Sequence, residues 1–210
     1  MNKLKTMALA TCLSFVASVA SAEVRMGVSV HAMMFDSTGS ETLRTSGNVT
    51  STSIDETAIV PSVFIETMNS NGLGVGVDYV PVAELGSKSS SNKVDAETNG
   101  ENKASAELAS HATLYVIAQH ENGVFVKAGM AFADVETTES LSTGDTYGDA
   151  TTEGLMAGIG MSRDLDNGMF VRGELSYVDY DDISITSTGG STVKADVDST
   201  NVTFSIGKSF

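Results

Sequence analysis

From residue 24 onward, apolar and polar residues alternate in eight stretches: 24–35, 56–69, 72–82, 106–119, 123–134, 153–164, 168–180 and 198–210. A period of two marks strands with two unlike faces. Near the start, Val24, Met26, Val28 and Val30 stand against Arg25, Gly27, Ser29 and His31. In 106–119, Leu108, Ala112, Leu114 and Val116 oppose His111, Thr113, Tyr115 and Gln119. In 123–134, Val124, Val126, Ala128, Met130 and Phe132 oppose Phe125, Lys127, Gly129 and Ala131. In 168–180, Met169, Val171, Gly173 and Leu175 oppose Phe170, Arg172 and Glu174. Asn71-Gly72, Asn122-Gly123 and Asn167-Gly168 each separate two such stretches. Each predicts a tight type I′ hairpin turn, in which both central residues take positive φ. The other connections, 36–55, 83–105, 135–152 and 181–197, are long and rich in Ser, Thr, Asp, Glu, Gly and Asn. Tight and long connections alternate strictly.

Alternation alone fits two architectures. A soluble sandwich turns its apolar face to a core, and a membrane barrel turns it to lipid. Three features select the barrel. The polar face is full of glycine and small residues, which suits a narrow lumen. Connection lengths alternate, as in barrels with short turns on one side and long loops on the other. The last strand, with Val202, Phe204, Ile206 and Phe210 on one face, runs to the final residue. In an open sheet that would be an unprotected edge, whereas a closed barrel pairs it with the first strand. Each stretch can cross a bilayer, since a tilted strand needs roughly 9–11 residues. The expected fold is all-β: an eight-stranded antiparallel up-and-down transmembrane barrel with short periplasmic turns and long extracellular loops.

Composition adds an address and a charge. Lys3 and Lys5 precede an apolar run from Met7 to Ala20, and Ala20-Ser21-Ala22 is a small-residue cleavage site. Residues 1–22 thus read as an export signal and 23–210 as the barrel domain. The only cysteine, Cys12, falls in the signal, so no disulfide or thiolate chemistry is expected after cleavage. The sequence carries 12 Lys plus Arg against 27 Asp plus Glu. Removing the two signal lysines leaves 10 against 27, a net charge of −17. Nucleic acid is excluded as a partner class, because phosphate binding needs a basic surface. After residue 22 no apolar run is long enough for a spanning helix, so membrane crossing falls to strands.

The terminal Phe210 after alternating apolar residues resembles the C-terminal signal read by the outer-membrane assembly machinery; Lys208 departs from the apolar residue usual there. Together with the strand pattern, residues 23–210 resemble the small eight-stranded outer-membrane proteins, the group of the OmpA membrane domain, OmpX and the opacity-type surface proteins. The resemblance implies a monomer in the outer membrane of a Gram-negative bacterium, without cofactor. Its implied partners are outer-membrane lipid and lipopolysaccharide, the assembly machinery, and an unidentified extracellular partner of the loops. Two departures bear on this. There is no tryptophan, so interfacial aromatic girdles fall to Tyr79, Tyr177, Tyr180, Phe35, Phe132 and Phe210. No peptidoglycan-binding domain follows the last strand, so a cell-wall tethering role is not implied.

The sharpest polar set is Arg25, Glu66, Asp78, Lys127, Arg172 and Glu174, all expected inside the barrel. Lys127 and Arg172 each lie four residues past a turn glycine, about 13 Å above it. A cation facing lipid at mid-depth would cost roughly 2–4 kcal/mol. Inside, these residues read as an ion-pair network filling a lumen just wide enough for side chains. Catalysis would need a Ser, a His and an acid at the extracellular rim. His31 and His111 lie toward the loop ends of strands that are not neighbours, and neither has an evident Ser–acid pair, so no catalytic residue is assigned. No metal site is assigned either. Asp164-Leu165-Asp166-Asn167-Gly168 has the start of a calcium loop without its spacing or terminal Glu. The carboxylates between Asp134 and Asp149 have no ligand register and read as a solvated surface, with cation bridging to lipopolysaccharide as the alternative. The expected role is a scaffold displaying acidic polar loops, serving envelope integrity, adhesion or interaction. The alternatives are a small porin-like channel and, third, a lipid-modifying enzyme.

Overall fold

Every alternating stretch becomes a strand, and most run further than the pattern marks. The computed structural model describes residues 22–42, 47–81, 83–92, 100–141 and 144–210. The expected export signal, all but its last residue, lies outside them. In chain order the strands are β1 (Glu23–Thr42), β2 (Val49–Met68), β3 (Leu73–Val80), β4 (Ala83–Asn92), β5 (Gly100–Gln119), β6 (Val124–Ser140), β7 (Ala150–Asp164), β8 (Met169–Tyr180), β9 (Ile183–Thr186) and β10 (Thr192–Ser209). They form eight antiparallel staves, because β4 continues β3 beyond Pro81 and β9 continues β8. β10 pairs with β1 from Arg25↔Ser209 to Thr42↔Thr192, so the barrel is closed. Phe210 adds a last bond, its N–H donating to the Val24 carbonyl at 2.9 Å.

The stagger follows from the ladders. Beginning at Arg25, successive cross-strand partners are Glu66, Gly76, Tyr115, Gly129, Met156, Val178 and Ser199, and the path returns to β1 at Phe35. It comes back ten residues higher than it began. Eight staves with this stagger tilt by roughly 40°.

All three Asn-Gly connections lie at the end where β1 begins and β10 finishes, with Glu23 opposite Met68 beside the first of them. Their geometry corrects the expected turn type. Asn69 and Leu73 close the first connection, with a bond from Asn69 N–H to the Leu73 carbonyl at 2.8 Å. His120 and Val124 close the second in the same way. Only the glycines, Gly72 (φ 77) and Gly123 (φ 89), are left-handed there. These are three-residue connections ending in a left-handed glycine, rather than two-residue type I′ turns. The third is closed in the same way, from Leu165 N–H to the Met169 carbonyl at 2.7 Å, but there both Asn167 (φ 66) and Gly168 (φ 73) are left-handed. Asn69 explains part of the difference: its Oδ1 accepts from the N–H groups of Asn71 and Leu73.

The outer face carries an apolar band. It includes Met26, Val28, Val30 and Met34 on β1, Ile59, Val63 and Ile65 on β2, Ile159 and Met161 on β7, and Val202, Phe204 and Ile206 on β10. At the tilt above, the band is about 25 Å tall, a bilayer's hydrocarbon. The outward series then turns polar. It meets Asp36, Asp134, Glu153 and Asp179 directly, and Asp55 and Asp198 one outward position higher. Beyond that level the sheet continues. Segments expected as long loops are largely strand: β1 reaches Thr42, β6 reaches Ser140, and β4 with β5 forms a hairpin up to Asn92↔Gly100. The sequence has a fourth Asn-Gly pair, at 99–100, and residue 99 lies outside the described residues.

Three facial assignments change. A register shift between Leu108 and Ser110 flips the upper part of β5, so Leu108 is buried in the lumen instead of facing lipid. Phe35 and Tyr180, expected in the aromatic girdle, also point inward. Tyr180 is 6% exposed and Phe35 packs against the interior cluster. Tyr79, Tyr177, Phe132 and Phe210 remain on the outer surface.

Candidate functional site

The lumen is layered. Its floor, near the turns, consists of Phe64, Phe125, Phe170, Tyr115 and Ile117, all buried. Four of these rings face glycines on adjacent staves: Phe64 opposite Gly27, Phe170 opposite Gly207, Phe125 opposite Gly160, and Tyr115 between Gly76 and Gly129. A Cβ on Gly27 would lie 2.7 Å from Phe64 Cε1, and one on Gly76 2.6 Å from Tyr115 Cζ. The inward glycines inferred from the sequence are thus the sockets of the aromatic floor. Such pairing is a known way to stiffen glycine in a sheet.

All six expected lumen residues point inward. Arg172 reaches Glu66 with two bonds, Nη2 to Oε1 at 2.7 Å and Nη1 to Oε2 at 3.0 Å. Their side chains are 1% and 0% exposed. Tyr115 donates its hydroxyl to the same carboxylate at 2.9 Å. The guanidinium lies 5.0–5.6 Å from the ring centres of Phe125, Phe170 and Phe64, in cation–π range. Lys127 pairs with Glu174 at 2.6 Å and sits over Tyr115 at 4.3 Å. Arg25 stands opposite Glu66 in the ladder but bonds elsewhere, to Glu23 at 3.4 Å and Gln119 Oε1 at 3.3 Å. Asp78 takes a bond from Ser62 at 2.9 Å and lies 3.4 Å from His31 Nε2.

The His31 cluster was not legible as a unit in the sequence. His31 Nε2 is 2.7 Å from Ser62 Oγ, and its Nδ1 is 2.8 Å from Thr203 Oγ1. A Ser–His pair therefore exists, but inside the lumen and away from the rim. His111, the other singled-out histidine, bonds Tyr180 at 3.0 Å in a fully buried position. His120 lies at a turn and is exposed. The parity signal places His31 and His111 in the lumen with the six charged residues; which of them meet depends on the ten-residue stagger.

Above the ionic layer the lumen turns apolar. Met33, Ala58, Val60, Val80, Leu108, Ala131, Ala133, Met156 and Val178 are all under 9% exposed and form one cluster, flanked by Phe35, Val135 and Val197. Between floor and cluster lies a cavity of about 40 Å³, bordered by His31, Asp78, Lys127, Arg172 and Glu174. Buried apolar side chains from seven of the eight staves stand above it.

Outside the membrane the picture inverts. Asp55, Asp36, Asp198 and Asp179 are direct neighbours across β2, β1, β10 and β8. Partial burial, then the nearby Asp36, Asp196 and Asp179, push the Asp198 carboxyl above its ordinary value. Tyr147, from the β6–β7 connection, donates to Glu41 at 3.0 Å and ties that connection to β1. Burial, then this bond, raise its phenol. Among the described residues, no three His, Cys, Asp or Glu side chains gather where they could hold a metal ion.

Comparison with known proteins agrees with this architecture. The model of the outer membrane protein beta-barrel domain family matches residues 6–210. Among solved structures, the outer membrane protein OprG of Pseudomonas aeruginosa aligns over 90% of this chain and 96% of its own, at 12% identity and a TM-score of 0.60. Ail, the attachment invasion locus protein of Yersinia pestis, aligns over 90% and 99%, at 12% identity and a TM-score of 0.47. The outer membrane protease OmpT of Escherichia coli aligns over 92% and 99%, at 9% identity and a TM-score of 0.49. A search of curated proteins gave no match. At such identities a structural likeness carries the fold and no role. A closed eight-stave barrel, apolar outside and ionic within, matched by one family model over nearly its whole length, places this chain in the outer membrane protein β-barrel family and in the outer membrane.

Proposed function

We propose that the protein is a non-conducting, non-catalytic scaffold that displays an acidic, hydroxyl-rich surface outside the cell, with a role in envelope integrity, adhesion or interaction. The observation that supports this reading is the apolar layer from Met33 to Val178, which fills the lumen above the ion pairs. A sealed wall leaves the projecting strands as the surface open to solutes and partners. The carboxylates of that surface make it a poor ligand for anions and a good one for cationic groups. The porin-like alternative requires a continuous wet path, which the apolar layer interrupts. The enzyme alternative requires a reachable nucleophile, and Ser62 is 3% exposed beneath that same layer.

Planar-bilayer recording tests this directly. The wild-type barrel is expected to give no steady conductance. Thinning the seal with Met33→Ala, Val60→Ala and Val178→Ala together is expected to give measurable ion flow. Stable wild-type conductance would favour the channel reading instead.

A further inference from the structure

Lys208, which departs from the usual C-terminal signal, is exposed on the outward face of β10, and Arg163 is exposed on the outward face of β7. Each stands one residue short of the end of its stave, at Ser209 and Asp164. The two cations therefore lie at one depth, just above the turns. β8 runs between them, with Val171 opposite Arg163 and Met169 opposite Lys208. Two strand spacings across and two residues along put their Cα atoms about 12 Å apart. Among the described residues these are the only cations on the outward face at the lower end of the apolar band, and no ion pair holds either of them. Asp164 follows Arg163 but turns to the other face by parity, and Asp166 belongs to the turn below. The outward acids, Asp36, Asp134, Glu153 and Asp179, stand at the opposite end of the band.

The wall above the two cations is indented. In the ladders Met161, Gly173 and Phe204 form one outward row across β7, β8 and β10. Met161 and Phe204 are 60% and 63% exposed. A Cβ on Gly173 would meet nothing within 4 Å. The row is thus a notch one side chain deep, with a glycine floor between a thioether and a phenyl ring. From there the outward face of β8 leads down over Val171 to the space between Arg163 and Lys208. A lone lysine or arginine at a membrane rim needs no ligand, because its stem lies in hydrocarbon while its charge reaches the headgroups. Two at one depth, on either side of an open groove that begins between them, converge on a single headgroup.

We infer that β7, β8 and β10 hold one anionic phospholipid of the periplasmic leaflet, its phosphate between Arg163 and Lys208 and one acyl chain in the notch at Gly173. The guanidinium can meet two phosphate oxygens at once, and the ammonium acts as a point charge beside them. The site is independent of the display reading, since it lies at the other end of the barrel from the acidic surface.

The chain has no tryptophan, so an introduced one reports from a single place. Leu175→Trp occupies the next outward position of β8 above the notch. Val77→Trp on β3, four staves away, reports from plain wall. Each full barrel is refolded from urea into phosphatidylcholine vesicles, where increasing fractions of the lipid are phosphatidylglycerol or phosphatidylcholine brominated in the acyl chains. Brominated phosphatidylglycerol is expected to quench Leu175→Trp at about one fifth of the mole fraction that brominated phosphatidylcholine needs, as attraction to anionic lipid predicts. Val77→Trp is expected to show no such preference. Arg163→Gln with Lys208→Gln should bring the preference at Leu175→Trp to parity, whereas Lys208→Arg should keep it. Gly173→Val, which fills the notch, should lower it about twofold. Unchanged quenching of Val77→Trp in each variant confirms that the barrel is in the bilayer. An equal preference at both reporters would overturn the inference, because general attraction to the membrane would then suffice. A preference that survives the loss of both cations would overturn it too. So would a Leu175→Trp that neither lipid quenches, since a second copy of the barrel would then cover this face.

Discussion

The barrel is two structures stacked end to end, meeting where the outward face turns from apolar to acidic. Below, the seam between β10 and β1 is continuous and the buried ion pairs are complete. Above, among the described residues, no ladder joins β2 to β4, and four aspartates stand side by side across four staves. The difference follows the solvent. In lipid an unpaired backbone group or charge has no water to turn to and costs several kcal/mol. Outside, water satisfies an open edge and screens like charges within about 8–10 Å. The lower half is thus wired because it must be, and the upper half is loose because it can be.

This contrast can be broken most severely at Arg172. Arg172→Ala leaves Glu66 buried without its cation, a loss that typically costs about 3–5 kcal/mol. The urea midpoint for folding into lipid vesicles should fall steeply, while Lys194→Ala in the upper half should leave it nearly unmoved. Equal shifts would erase the distinction between the halves. A smaller break is expected at the floor. Gly160→Val drives a branched side chain into the Phe125 ring and the Gly173 carbonyl, an overpacking that costs about 1–3 kcal/mol. Phe125→Leu in the same chain should recover part of the lost midpoint, since one of the two obstacles shrinks.

The smallest effect sharpens the contrast from above. Asp198 has a folded pKa raised over its ordinary value by partial burial and then by neighbouring aspartates. The folded chain therefore holds that proton more readily than the unfolded one, and stability rises as pH falls through the raised value. At neutral pH the charged group works against the fold. Asp198→Asn should raise the midpoint slightly at neutral pH and make no difference below the ordinary aspartate range. A stabilising effect that persisted in acid would point to packing instead of charge.

Much of the lower half was legible in the sequence, because a period of two is unforgiving where one face meets lipid. Parity alone put Arg25, Glu66, Asp78, Lys127, Arg172 and Glu174 inside. It could not say that Arg172 would find Glu66 while Arg25 would not, since that depends on the stagger around the whole wall. Leu108 was misplaced because one bulge reverses parity without leaving a mark in the pattern. Phe35 and Tyr180 were misplaced by expecting aromatics at the interface, although parity already turned both inward. The upper half was less legible. Ser- and Thr-rich stretches read as loops, yet strands need no apolar face where both sides are wet. Asn71-Gly72 and Asn122-Gly123 overstated the turn type, because Asn69 and His120 close each connection one residue earlier.

The bidentate pair has a consequence in time. Arg172 and Glu66 are 106 residues apart in sequence, and the aromatic shell around them comes from β2, β6 and β8. No early hairpin can assemble that shelter, so both charges stay hydrated until late. Their full dehydration is expected only when β10 meets β1. Seam closure is then a single costly crossing with a deep well behind it, which makes entry slow and escape slower still. The same ion pair that anchors the folded barrel thereby acts as the clock of its birth.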